Sequence, residues 1–177
     1  SHGDPVRVRG TTLTIPVGQG LLGRVIDPLG NPLDGVPLRD CLGRRSLHAD
    51  PPKAMSRTRI ESPMATGIRT IDGLLTLGEG QRVAIMAGSG VGKSTLLGMA
   101  ARSSQAEVNV VCLVGERGRE VREFLERDLG PEGLARSVVI VATSDRAPVL
   151  PVKAVQAALS VAEYFRDNGS KVLLMVD

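Results

Sequence analysis

Ala87-Gly88-Ser89-Gly90-Val91-Gly92-Lys93-Ser94 reads as a tight glycine-rich turn between a strand and a helix. The apolar run at residues 82–86 leads into it, and the Pro-free residues 94–102 that follow favour helix. In that context the three glycines can turn their backbone N–H groups onto phosphate oxygens. The helix that starts near Lys93 aims its positive dipole end at the same charge. Lys93 would reach the terminal phosphates of a nucleoside triphosphate, and the Ser94 hydroxyl would hold Mg²⁺. The strict pattern begins with Gly where this chain has Ala87, a permissive position. The competing reading is a chance glycine-rich turn, which the intact Gly92-Lys93-Ser94 disfavours.

Around this loop the chain alternates between buried strands and helices. Val108 to Val114 is a near-continuous apolar run, as in a strand buried on both faces of a parallel sheet. Residues 119–129 put Val121, Phe124, Leu125 and Leu129 on one helical stripe and Arg119, Arg122, Glu123, Glu126 and Arg127 on the outer face. That charge run is read as a solvated helix face with a favourable Glu123–Arg127 pair. A strand at 138–142, a helix at 152–168 ended by Asn168-Gly169, and a buried strand at 172–176 follow. The alternation predicts an α/β fold with a parallel sheet flanked by helices. Residues 10–60 differ. Short apolar runs punctuated by Asp27-Pro28, Asn31-Pro32 and Asp34-Gly35 predict short strands and turns, and residues 39–64 an irregular extended connection.

Bulk properties remove several classes. With 177 residues, 42% hydrophobic and 23% charged, the chain has the composition of one globular domain. A net charge of +3 and three aromatic residues, Phe124, Tyr164 and Phe165, argue against a nucleic-acid partner, because single-stranded sites rely on basic grooves and stacking platforms. Cys41 and Cys112 lack metal-ligand spacing and suggest a reducing compartment, with Cys112 a small core residue. No apolar run approaches a membrane span, so a soluble, cytoplasmic protein that could dock on a membrane complex is expected.

Two carboxylates complete the candidate site. Asp177 ends the last apolar run, where an Asp can orient Mg²⁺ through water. A plain strand-end Asp is the alternative. Glu116 follows the strand at 108–114, on the sheet edge where parallel strands present ligands, and could polarise an attacking water. Taken alone it could equally be a surface Glu.

Together these residues resemble a known family. Residues 86–97, Gly115-Glu116-Arg117-Gly118-Arg119-Glu120-Val121 and residues 128–137 are similar to the type III secretion and flagellar export ATPases. Residues 15–25, 66–74, 80–82 and 162–167 fit the same pattern, so the match spans nearly the whole chain. Residues 145–151, with Pro148 and Pro151, depart from it. The family is related to the catalytic subunits of rotary ATP synthases.

The resemblance implies the N-terminal part of a RecA-like P-loop ATPase domain over 17–177, preceded over 1–16 by the end of an N-terminal β-barrel. It implies ATP and Mg²⁺ as ligands. Residues 87–95, from Ala87 through Thr95, would bind nucleotide, and Ser94 and Asp177 would hold the metal. Glu116 would be the general base, Lys93 would hold the phosphates and Arg117 would lie near the γ-phosphate. It further implies a homohexamer at the inner face of the cytoplasmic membrane. Its partners would be the stalk and regulator proteins of the export apparatus and chaperone–substrate complexes, with no nucleic acid. The chain stops at a strand tip, which is read as the edge of a fragment with weak or no activity alone. Adenine contacts and an arginine finger would lie beyond residue 177. A rotary ATP synthase subunit, a hexameric nucleic-acid motor and a non-catalytic interaction fragment are the competing readings.

Overall fold

The computed structural model describes residue 5, residues 10–88 and residues 90–177. Half of the expected barrel remnant at 1–16 (residues 1–4 and 6–9) falls outside these, and so does Ser89 of the glycine loop.

Residues 10–60 consist mainly of short strands and turns, as their glycines and prolines predict. Strand β1 (Thr14–Val17) and, after β2 (Arg24–Ile26), strand β3 (Gly43–Ser46) pair antiparallel. The Asp27–Asn31 turn is tied by the Asp27 carboxylate, which accepts the N–H groups of Leu29 and Asn31, each at 2.8 Å. The connection that follows carries β4 (Pro63–Met64), helix α1 (Arg69–Leu74) and β5 (Leu77–Gly78), with β4 and β5 paired antiparallel.

The C-terminal two thirds build the layered core. Helix α2 (Lys93–Ser103), strand β6 (Val108–Val114), helix α3 (Gly118–Glu123), a π-helical turn at Phe124–Leu129, helix α4 (Gly130–Ala135), strand β7 (Ser137–Ala142), helix α5 (Val149–Asp167) and strand β8 (Val172–Val176) follow in order. The main sheet is parallel, in the order β2-β7-β6-β8. Alternate residues of its central strands feed two cores. Val110, Cys112, Val138 and Ile140 pack with Ala154, Ala158, Val161 and Phe165 of α5. Val111, Leu113, Val139 and Val141 pack on the other face with Ala101 of α2 and with Phe124 and Leu129. A sheet covered by helices on both faces is the α/β fold the alternation predicts. Cys112 is fully buried, and burial pushes its thiol up to about 12.

Four expectations need correction. Residues 82–86 do not form a sheet strand. They run extended, with Val83, Ile85 and Met86 exposed. Both edges of β6 and β7 are taken, and the run does not pair with the open outer edge of β8 or of β2. The fourth strand is instead β2, drawn from the turn-rich region by its register with Val138, Val139 and Ile140. Strand β8 is an edge strand, with Met175 buried and Val176 half exposed, rather than a strand buried on both faces. Finally, α5 begins at Val149, three residues earlier than its pattern suggests. Pro151 is accommodated because a first-turn N–H has no partner within the helix.

Candidate functional site

The site lies where the parallel strands end. Gly90 and Gly92 both take left-handed backbone angles, φ 76° and 94°, and no atom lies within 4 Å of where a Cβ would stand on either. The glycines are required by the turn's conformation rather than by crowding. Gly92 caps α2, and its carbonyl accepts the Leu96 N–H at 2.9 Å, so Lys93 is the first helical residue and Ser94 the second. Ala87, Gly88, Val91 and Thr95 are exposed around this end of the helix.

Asp177 is fixed by the sheet ladder. Its N–H donates to the Cys112 carbonyl at 2.9 Å and its carbonyl accepts the Val114 N–H at 2.7 Å, which registers it beside the end of β6. Its side chain is 8% exposed and accepts a hydrogen bond from the Lys93 ammonium. This ion pair closes a span of 84 residues and joins the start of α2 to the tip of β8. The Asp177 carboxylate raises the pKa of Lys93, so the lysine is held charged.

Glu116 occupies the neighbouring strand end. Gly115, at φ 78°, turns the chain out of β6 and donates its N–H to the Ala142 carbonyl at 2.8 Å. The Glu116 carbonyl accepts the Ser144 N–H at 3.2 Å, so the backbone is pinned to the loop after β7. The Glu116 carboxyl sits above the usual carboxylate range. The chief cause is a hydrogen bond with the Glu120 side chain, followed by partial burial and by the negative charges of Glu120 and Asp177, with Lys93 opposing. Glu120 is lowered, first by the Arg117 backbone N–H, which donates to its Oε2 at 2.9 Å.

Lys93, Asp177 and Glu116 are thus brought together, with Ser94 one residue along α2 from the lysine. Arg117 follows Glu116 at the exposed start of α3, where its backbone meets Glu120. Glu120 itself was not singled out by sequence reasoning. Its signals were the four-residue spacing from Glu116 and its place three residues after Arg117, the position from which an acid reaches back over a helix start.

The donor set suits Mg²⁺ better than a cation that needs a protein cage. Among the described residues no group of three or more His, Cys, Asp or Glu side chains is placed to hold a metal. One carboxylate and one hydroxyl beside a phosphate loop leave most coordination positions to phosphate and water, the arrangement Mg²⁺ prefers. Among the described residues no helix is long and apolar enough to cross a membrane.

Known proteins share this arrangement of sequence and fold. The model of the ATP synthase alpha/beta family, nucleotide-binding domain, matches residues 67–177. The chain is 54% identical over 175 residues to the flagellum-specific ATP synthase of Bacillus subtilis (strain 168), covering 99% of this chain and 40% of that protein. It is 56% identical over 168 residues to the type 3 secretion system ATPase of Xanthomonas euvesicatoria, covering 95% and 38%. Among solved structures, the assembled ATPase EscN in complex with its central stalk EscO, from the enteropathogenic E. coli type III secretion system, matches with a TM-score of 0.88. It is 49% identical, over 93% of this chain and 41% of that one. The chain spans about two fifths of the length of these relatives.

Proposed function

The chain belongs to the ATP synthase alpha/beta family, and on that footing we propose that its parent protein is the ATPase of a bacterial type III export system, flagellar or injectisome. The observation that carries the reading is the convergence of Lys93, Asp177 and Glu116 at the strand ends beside an intact phosphate loop. Residues 17–177 are read as the first part of the ATPase domain and residues 1–16 as the end of a preceding β-barrel.

Each residue has a derivable task. The loop N–H groups and the Lys93 ammonium bind the β- and γ-phosphates of ATP, and the Lys93–Asp177 pair opens as the phosphate oxygens take the ammonium. Asp177 and the Ser94 hydroxyl would hold Mg²⁺, Asp177 through water. When bound, that ion neutralises charge building on the phosphates. Glu116 accepts a proton from the water whose oxygen bonds to the γ-phosphorus, as the bond from that phosphorus to the bridging oxygen of ADP breaks. Arg117 stands beside the base, near the γ-phosphate.

The parent is read as a cytoplasmic homohexamer turning about a stalk, docked on the membrane-bound export complex and using ATP to release and unfold substrates from chaperones. The solved EscN assembly with its central stalk supports the oligomer and the stalk. The test is steady-state hydrolysis by the full-length parent with and without Lys93→Ala. Loss of MgATP turnover and of nucleotide affinity together is expected. Wild-type turnover in the variant would overturn the site.

A further inference from the structure

We propose that Arg136, between α4 and β7, is a positioning residue for the phosphate-binding end of α2: its guanidinium clamps the far end of that helix to the sheet and so sets where Lys93 and Ser94 stand. The inference rests on the reading of Lys93 and the glycine loop as the phosphate site.

The last carbonyls of a helix have no partner within it. Ser104, extended at φ −66° and ψ 156°, ends α2 without the left-handed turn that commonly closes a helix. The next N–H, of Gln105, turns away to the Ala65 carbonyl at 3.0 Å. Arg136 fills the place. Its Nε and one terminal nitrogen donate to the Ala101 carbonyl, at 3.1 Å and 2.7 Å. The same terminal nitrogen donates to the Ser104 carbonyl at 2.9 Å, and the other donates to the Ala106 carbonyl at 2.9 Å. Asn109, fully buried in β6, donates its side-chain amide to Ala101 as well, at 2.8 Å. The guanidinium also sets a positive charge against the negative end of the helix dipole.

The clamp is anchored in the sheet. The Arg136 carbonyl accepts the Asn109 N–H at 2.9 Å, so its backbone stands where β6 and β7 begin to pair. Helix α2 is therefore tied near both ends. Lys93 ties its start to Asp177 at the carboxyl edge of the sheet, and Arg136 ties its end at the amino edge. The 11 residues between span about 16 Å, or about three turns of a continuous hydrogen-bonded rod. Phosphate that takes the Lys93 ammonium from Asp177 opens the first tie. The second then sets the height of α2 along the sheet. With it are set the Lys93 ammonium, the Ser94 hydroxyl and the N–H groups of the first turn. A misplacement of about 1 Å caused far from the chemistry can cost on the order of a hundredfold.

Substitution can separate this role from a merely structural one. Arg136→Met keeps an apolar stem and removes the guanidinium donors. Arg136→Lys keeps the charge and loses the planar fork. Val161→Ala opens a cavity in the core on the other face of the sheet, away from α2, and is the control for lost stability. The experiment measures binding of a non-hydrolysable ATP analogue with Mg²⁺ by calorimetry, and steady-state hydrolysis, for the full-length parent, these variants and Lys93→Ala. All are compared at a temperature well below every melting midpoint.

In Arg136→Met, Kd and KM are expected to rise together at least about tenfold, with kcat changed less, because the phosphate contacts act alike on bound substrate and transition state. Arg136→Lys is expected to lose affinity too, and it carries the test if Arg136→Met does not fold. Val161→Ala should bind as wild type although its midpoint falls. Wild-type Kd in a folded Arg136→Met would overturn this inference alone. Wild-type Kd in Arg136→Lys would assign the effect to charge at the helix end and also overturn the clamp. So would an affinity loss in Val161→Ala equal to that of Arg136→Met, which would make the effect one of stability. Wild-type binding by Lys93→Ala would instead overturn the phosphate-site reading, and this inference with it.

Discussion

Gly98 in the middle of α2 lies against the backbone of Asp128 in the π-helical turn. A methyl group placed there would come within 2.7 Å of the Asp128 carbonyl carbon and closer still to its oxygen. The contact joins the helix that begins at Lys93 to the segment that continues the helix behind Glu116. π-Turns widen a helix by one residue and are frequent at functional sites, and this one turns the Asp128 carbonyl toward α2.

Gly98→Ala is therefore expected to destabilise the chain by about 1–3 kcal/mol, the usual cost of overpacking a well-packed site. Backbone rather than a flexible side chain must give way. Thermal melting of wild type and variant measures the loss. An unchanged midpoint would mean that the two segments can part without cost. Ala at Gly88, where nothing lies within 4 Å of a Cβ, is the internal control for stability.

The Lys93–Asp177 pair predicts a non-additive double variant. Lys93→Ala leaves the Asp177 carboxylate, 8% exposed, without its cationic partner. The lysine is 35% exposed, so the pair is only partly buried, but removing one partner still leaves the other charge poorly solvated, which removing both does not. Lys93→Ala should lower the unfolding midpoint, and Lys93→Ala with Asp177→Asn should recover most of it. Neither should bind MgATP by calorimetry. A double variant whose loss equals the sum of the single losses would mean that the pair does not interact in the folded chain.

Glu116→Gln should keep nucleotide affinity and lower kcat in the parent by about 10²-fold or more, the scale of a lost general base. Rapid-quench measurement of a single turnover isolates the chemical step. An unaltered rate there would remove Glu116 from that role.

The layered core and the two strand ends were legible because their signals are local. Val108 to Val114 announces a buried strand by unbroken apolar character, and Gly92-Lys93-Ser94 announces a helix start by chemistry that few other turns need. The misread elements depend on partners instead. Residues 82–86 have the composition of a strand, but composition does not specify an edge on which to pair, and no ladder forms there. The apolar run that contains β2 predicts a short strand, but nothing in it says that β7 will offer residues 24–26 a parallel register in the main sheet. Glu120 escaped notice for a similar reason. A Glu among the charged residues of α3 looks like solvated surface, and only the fold shows that it turns back to accept the Arg117 N–H, whereas Glu123 and Glu126 pair with arginines on the outer face.

Asp72 gives the chain a definable acid sensitivity. Its carboxylate accepts the Thr66 N–H at 2.8 Å, the Thr66 hydroxyl at 2.7 Å and the Gly67 N–H at 2.9 Å. The bonds from Thr66 are the main reason its pKa lies below the usual carboxylate value. They fasten the turn that opens α1, and Gly67 in that turn, at φ 76°, packs on Ser103 at the end of α2. A carboxylate held more acidic in the folded chain stabilises it fully above its unfolded pKa of about 3.9, and that contribution is lost as pH falls through the folded value. Asp72→Asn removes the charge while keeping the shape. At neutral pH the variant should melt below wild type, and the gap should close as pH is lowered beneath about 4, where wild type loses the same contribution. A gap that stays constant across that range would assign the difference to packing of the amide and not to the carboxylate.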